Sequence, residues 1–254
     1  MYKRDLKVLP SDASCTGVIK LRNLLDYFQD TAALAVDKIE GTSSELASRG
    51  YAWILRNYEI EFFETPPLLD NNFTIYTAHD PNHGFNCLRI FKVVNPFDNI
   101  IIYAKSSWLL LDLAAQRPVK PIAHLPEITT QDVLEINPDF QEIPQLSNET
   151  NNENNQEFVI NREVLFHDLD INGHVNNAAY FEWIFESTPL DLMNNKIKSI
   201  NASFRSGIKW RDKVEIRISK HENGFLYRVM NLSQPNKHKP SAEFFCVWQA
   251  KEEE

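Results

Sequence analysis

One order of elements runs twice through this chain of 254 residues: a strand, a helix, then four strands. In the first pass "YKRDLKVL" reads as a strand and Leu21 to Glu40 as a long helix. Leu21, Leu24, Leu25, Phe28, Ala32, Ala35, Val36 and Ile39 recur at steps of three and four, which sets them on one buried stripe. A short helical turn follows at "SSELASRG", with Ser43 or Ser44 as cap and Gly50 as stop. Then come the strand-like runs "AWILRNYEIEFF", "NFTIYTAHD", "FNCLRIFKVV" and "IIIYAKSSWLLLD". Asn82-His83-Gly84 and Pro96-Phe97-Asp98-Asn99 supply turn residues between them.

The second pass opens with "FVINREVLF" as a strand and "VNNAAYFEWIFES" as a helix, apolar on most sides and therefore buried. The runs "KIKSINASF", "KVEIRISK", "FLYRVMNL" and "SAEFFCVWQA" complete it. An antiparallel sheet wrapped around one apolar helix suits each half, and the pair would complete each other's core. The class expected is α+β. Between the halves, "PDFQEIPQLSNETNNENNQE" has almost no periodic apolar residues and is crowded with Asn and Glu. It reads as a connector, mobile at "SNETNNENNQ". The expected domains are thus 1–137 and 158–254, with 138–157 as linker.

With 43% hydrophobic residues the chain can bury a substantial core. Its net charge of -9 argues against nucleic acid as a partner, because phosphate neutralisation needs a basic face. Cys15, Cys87 and Cys246 are scattered and show no CxxC spacing, so neither a disulfide framework nor a zinc site follows. They are expected to be small buried hydrophobes in a reducing compartment. The start "MYKRDLKVLP" lacks the apolar stretch of a signal peptide. Runs such as "WLLLDLAA" fall short of the ~20 residues that a spanning helix needs. A cytoplasmic protein with no membrane partner is expected.

The stretch that carries chemistry is "DLDINGHVNN", Asp168 to Asn177. Asp168-x-Asp170-x-Asn172-Gly173 has the spacing of the first half of an EF-hand loop, but position 12 is Ala179 where a bidentate Glu is needed. The residues before it read as a strand rather than a helix, so no calcium site is expected. Asp168 is expected to cap or turn the chain, and Asn176 and Asn177 to close the first helical turn. His79, His83, His124, His167, His221 and His238 share no spacing and are expected on surfaces or loops. Trp53, Trp108 and Trp183 are expected to pack in the core. No Gly-x-Ser-x-Gly elbow supplies a serine nucleophile.

These residues resemble the acyl-acyl carrier protein thioesterases of plants and bacteria, over nearly the whole chain. "DLDINGHVNNAAYFEWIFES" looks like the family signature Asp-x-Asn-x-His-Val-Asn-Asn followed by Tyr, Trp and Glu-Ser. "LLDYFQDTA" and "AKSSWLLLDLAAQRPVKPI" resemble the family's first-half helix and its Ser-Ser-x-Trp strand. The resemblance implies a tandem (double) hotdog, two antiparallel sheets each wrapped around a long central helix. It implies Asp170, Asn172 and His174 as the catalytic acid, amide and imidazole, with no cofactor and no metal. One position departs: "SFRSGIKW" puts Gly207 where the family has a Glu, and Ile208 at its neighbour.

If the loop is extended, residues two apart point the same way, so the three side chains would face one cleft. A helix from about Val175 would set unpaired N–H groups and a positive dipole end beside them, suited to negative charge developing on a thioester oxygen. His174 would take a proton from water, Asn172 would donate to the carbonyl or hold the water, and Asp170 would set the imidazole tautomer or order the loop. The activity implied is hydrolysis of acyl-acyl carrier protein to a free fatty acid, a step of fatty acid biosynthesis. The acyl chain would lie between sheet and helix, in the first hotdog. The carrier is the expected partner, docked on Arg117 with Lys120 or on Lys209, Arg211 and Lys213, and a homodimer is a candidate assembly. An acyl-CoA thioesterase is the rival enzyme, favoured over a hotdog dehydratase. A non-catalytic acyl-carrier binding or sensing module is the rival that Gly207 suggests.

Overall fold

The computed structural model describes residues 1–40, 43–129, 133–145, 158–188, 195–221, 223–234 and 238–249, except for the side chains of 38–40. Most of the expected linker, 146–157, lies outside them, as does the side chain of Ile39 from the expected helical stripe. The chain divides into two compact units, residues 1–140 and 141–254. Both are built of antiparallel strands with few helices.

In the first unit β1 (Tyr2–Lys7), β2 (Tyr51–Phe62), β3 (Asn72–His83), β4 (Asn86–Val94) and β5 (Ile100–Asp112) pair in the order β1-β3-β4-β5-β2. Helix α1 (Leu21–Glu40) lies on their inner face because its stripe is apolar: Leu24, Leu25 and Phe28 are buried. Phe28 stacks on Phe91 of β4 at 4.7 Å and faces Tyr58 of β2. Each such ring contributes roughly 1.5–3 kcal/mol by leaving water. The short α2 (Ser43–Ser48) buries Leu46.

The opposite face of this sheet is also apolar, since neighbours along a strand alternate sides. Ala78, Leu88 and Ile90 pack there against Ile136, Tyr103 and Phe140. Residues 133–140 therefore cover that face. The sequence did not show β6 (Arg117–Val119), α3 (Pro121–His124) or the 3-10 turn Pro126–Thr129. These pieces are too short to show a period and are held by tertiary contacts: Leu125 and Ile128 are buried with Leu46, Cys87 and Leu110. Against expectation, His79 is not a surface residue but is fully buried, with Nε2 2.7 Å from the Ile128 carbonyl.

In the second unit β7 (Phe158–Glu163), β8 (Lys196–Phe204), β9 (Lys213–His221), β10 (Gly224–Asn231) and β11 (Ala242–Gln249) pair in the order β8-β11-β10-β9-β7. Helix α4 (Asn177–Glu186) is ten residues long, half the length of α1, rather than a second long helix. Its Phe181 meets Phe244 edge-on at 5.1 Å and its Tyr180 meets Phe204 at 5.5 Å. Trp183 is fully buried, while Trp53 and Trp108 are partly so. Cys87 and Cys246 are buried thiols, whereas Cys15 is exposed.

Candidate active site

Residues 168–176 join a 3-10 turn (Phe166–Asp168) to α4, and they form a tight turn rather than an extended strand. The Asp170 amide donates to the His174 carbonyl at 2.7 Å, the Gly173 amide donates to the Asp170 carbonyl at 3.1 Å, and Leu169 bridges Val175. Gly173 sits at φ +74°, a left-handed conformation that suits glycine. Asp170 causes this fold. Its Oδ1 accepts from the amides of Asn172 at 2.8 Å and His174 at 3.2 Å, and its Oδ2 accepts from Asn172 Nδ2 at 3.3 Å. The aspartate therefore orders the loop through backbone groups. Among the described residues the His174 imidazole has no hydrogen-bond partner, Asp170 included.

Asp168 fastens this turn to the protein. Its buried carboxylate accepts from Leu165 N at 2.8 Å and from Trp183 Nε1 of α4 at 3.3 Å, with Arg162 3.9 Å away. Arg162 also lies over the Trp183 ring. Asn176 caps α4, accepting from Ala178 N at 2.9 Å. The helix end is less open than expected, because its amides are engaged. Val175 N donates to Ile208 O, Asn176 N to Asp168 O, and Ala179 N to Asn176 O. The Asn177 amide is the one in this stretch without such a partner among the described residues. Tyr180 packs below the loop. Burial first, then the charges of Asp170 and Asp212, hold its phenol well above the ordinary pKa, so it is a neutral hydroxyl.

Spacing could not show the second wall of the site. Residues 207–209 run antiparallel beside His174: Val175 N donates to Ile208 O at 2.9 Å, and His174 bridges Lys209. This brings Gly207 against the imidazole. A Cβ at Gly207 would lie 2.7 Å from His174 Cδ2 and 3.2 Å from Cγ. Beyond it, Phe166 and Trp210 meet edge-on at 5.9 Å, both exposed, with Arg211 over the indole.

The first unit holds the same turn with different side chains. Ser14 N donates to Val18 O and Gly17 N to Ser14 O, Ala13 bridges Ile19, and Gly17 sits at φ +80°. Asp12 accepts from Leu9 N at 2.9 Å and from the Tyr27 hydroxyl of α1 at 2.8 Å, as Asp168 does from Leu165 and Trp183. Ile19 N donates to Pro67 O as Val175 N does to Ile208 O. Ser14, Thr16 and Val18 thus stand where the second unit has Asp170, Asn172 and His174, and Pro66 stands where it has Gly207. The turn is a structural module, and the imidazole belongs to one copy.

The comparisons match both copies. The model of the acyl-ACP thioesterase N-terminal domain covers residues 1–129 and that of the C-terminal domain covers 150–245. The chloroplastic palmitoyl-acyl carrier protein thioesterase of Cuphea hookeriana is 20% identical over 212 residues, 77% of this chain and 49% of that protein. The chain thus spans about half the length of the curated relatives it matches. Two solved structures share the fold. An acyl-ACP thioesterase from Bacteroides thetaiotaomicron has a TM-score of 0.79 at 19% identity, covering 97% of both chains. The 12:0-ACP thioesterase from Umbellularia californica has a TM-score of 0.80 at 14% identity, covering 98% of this chain and 97% of that one. With both domain models matched, one on each copy of the turn, this chain belongs to the acyl-ACP thioesterase family.

Proposed function

We propose that the protein hydrolyses the thioester of acyl-acyl carrier protein, releasing a free fatty acid and the carrier thiol. The observation that carries this reading is the half-buried, unengaged imidazole of His174 on a turn organised by Asp170 at the start of α4. In this reading the water oxygen attacks the thioester carbon while His174 takes its proton. Negative charge develops on the carbonyl oxygen, where the Asn172 side-chain amide and the Asn177 N–H are the available donors. Collapse breaks the C–S bond, and the imidazolium returns the proton to the leaving thiolate. Asp170 positions the loop rather than pairing with the ring.

The repeated turn, and the repeated strand, helix and four strands, support the double hotdog as the architecture, with domains at 1–137 and 158–254. The acyl chain is placed in the apolar layer under α1, where admission requires the stacked Phe28 and Phe91 to part. The cavity of about 230 Å³ on the other side of that sheet is a poorer host, since Glu59, Glu61, Glu135 and Lys105 line it. For the carrier, Lys209, Arg211 and Lys213 are favoured over Arg117 and Lys120, because Lys209 lies on the segment paired with His174. The three free thiols fit a reducing compartment such as the cytoplasm.

The test is thiol release from acyl-acyl carrier proteins over a chain-length series, with the matching acyl-CoAs alongside. Faster turnover of the carrier-bound chain is the expected result. Preference for CoA would reassign the substrate. Binding of the acylated carrier with no thiol released at any length would make the protein a binding module.

A further inference from the structure

We propose that Gly207 is the positioning residue of His174: its bare Cα is what allows the imidazole to occupy its place in the site. The inference deepens the hydrolase reading and rests on it only for its kinetic arm. Its basis is the contact itself. An added Cβ would stand 2.7 Å from Cδ2, 3.2 Å from Cγ and 3.3 Å from Nε2 of the ring, and no other atom comes closer. The first of these is shorter than carbon atoms tolerate, so a side chain at 207 forces a shift, and the group it meets is the His174 ring.

Backbone conformation does not require this glycine. Among the described residues Gly17, Gly50, Gly84 and Gly173 are the glycines at positive φ, whereas Gly207 is not among them. What demands it is the ring across the way. Hydrogen bonds hold both backbone segments in place. Val175 N holds the Ile208 carbonyl, Gln234 Nε2 holds the Gly207 carbonyl at 3.1 Å, and Ser206 holds Ser241 through both its amide and its hydroxyl. On the other side, Asp170 pins the His174 amide. With both backbones fixed, the imidazole is the part that moves. The first unit's copy agrees with this: where Pro66 brings a Cβ to the equivalent place, Val18 stands in place of the histidine. The same geometry forbids a glutamate at 207 beside the ring in its present rotamer.

The experiment is a double-mutant cycle of Gly207→Ala and His174→Ala, read by thermal unfolding and, for Gly207→Ala, by steady-state kinetics on an acyl-acyl carrier protein. Gly207→Ala is expected to lower kcat at least tenfold with KM changed less than about threefold, because the base moves while the docking surface stays. It is also expected to lower Tm in the His174 background and to have no such effect in the His174→Ala background. A Tm loss that persists undiminished without the imidazole would show that the backbone needs glycine, and would overturn the proposal. So would wild-type kcat in Gly207→Ala. If the wild type releases no thiol, the hydrolase reading fails, while the unfolding cycle still decides the role of Gly207. If Gly207→Ala alone does not fold, recovery of folding in the double variant supports the proposal, and its absence overturns it.

Discussion

At the scale of the residue, Asp170, Asn172 and His174 divide the work unequally. His174 is the group with free ring nitrogens, so His174→Ala should lower thioester hydrolysis by roughly 10²–10⁴-fold, the scale of a lost general base. Its fold should survive, since the ring is only half-buried and has no hydrogen-bond partner among the described residues. Circular dichroism and single-turnover thiol release check both halves of that statement. Asn172→Ala should cost about 10²–10³-fold if the amide donates to the oxyanion. Asn172→Asp should do no better, since a carboxylate cannot donate and would also face the Asp170 carboxylate that Nδ2 now contacts. Activity restored by Asp would remove the donor role. Asp170→Ala should slow the proposed hydrolysis through the loop. Two backbone amides lose their acceptor, so the variant should show loosened hydrogen exchange at Asn172 and His174.

At the scale of the element, the two turns offer an internal control. Asp168 and Asp12 each tie a turn to the helix that follows, through Trp183 or Tyr27. Burial and the bond to Asp12 push the Tyr27 hydroxyl up to about 12, so it stays a donor. Asp12→Ala should destabilise the protein by on the order of 2 kcal/mol while kcat changes little. Asp168→Ala should cost on the order of 3 kcal/mol, since it leaves the Trp183 indole N–H and the Leu165 amide without their acceptor, while Arg162 keeps Glu186. It should also lower kcat, because its turn carries His174. Equal loss of kcat in both would contradict the assignment of chemistry to one turn. The same elements show what the sequence could disclose. Alternation and three-four spacing placed α1 at Leu21–Glu40 and β8 at Lys196–Phe204 without error, because each buries one face. They missed β6 and α3, whose few residues are set by neighbours. The order of residues singles out Asp170, Asn172 and His174 as candidates, but the loop that carries them is a tight turn and not the extended segment expected. The Asp-x-Asn-Gly signal for a turn was present in that stretch. Gly207 was legible only as a departure, since its contact joins residues 33 positions apart along the chain.

At the scale of the whole molecule, the question is what gives way in acid. The net charge of -9 falls in magnitude as carboxylates begin to protonate, so general repulsion weakens at first and cannot initiate unfolding. Local carboxylates decide instead. Asp80 is 2% exposed and joins β3 to residues 133–140: Oδ2 accepts from Ile136 N at 3.0 Å and pairs with His83 Nε2 at 2.9 Å, and Oδ1 accepts from Asn82 N. Burial works to raise its pKa, but the bonds from Asn82, Ile136 and His83 outweigh it and hold the carboxyl below its ordinary 3.8. The folded pKa is therefore depressed relative to the unfolded one. The stability it contributes is present above the unfolded value near 3.8 and is lost as pH falls through the folded value. Asp80→Asn should thus lower stability at pH 7, where the wild type holds the full contribution, and the difference from wild type should shrink as pH falls below the ordinary 3.8. The loss should appear first as exposure of the sheet face that Ile136 and Phe140 cover, because Asp80 fixes that segment from its own strand. Hydrogen exchange of the Ile136 amide against pH, together with urea midpoints at pH 7 and pH 3, measures both. A wild-type midpoint independent of pH over that range, or an Asp80→Asn penalty that grows on acidification, would assign the acid response to other carboxylates.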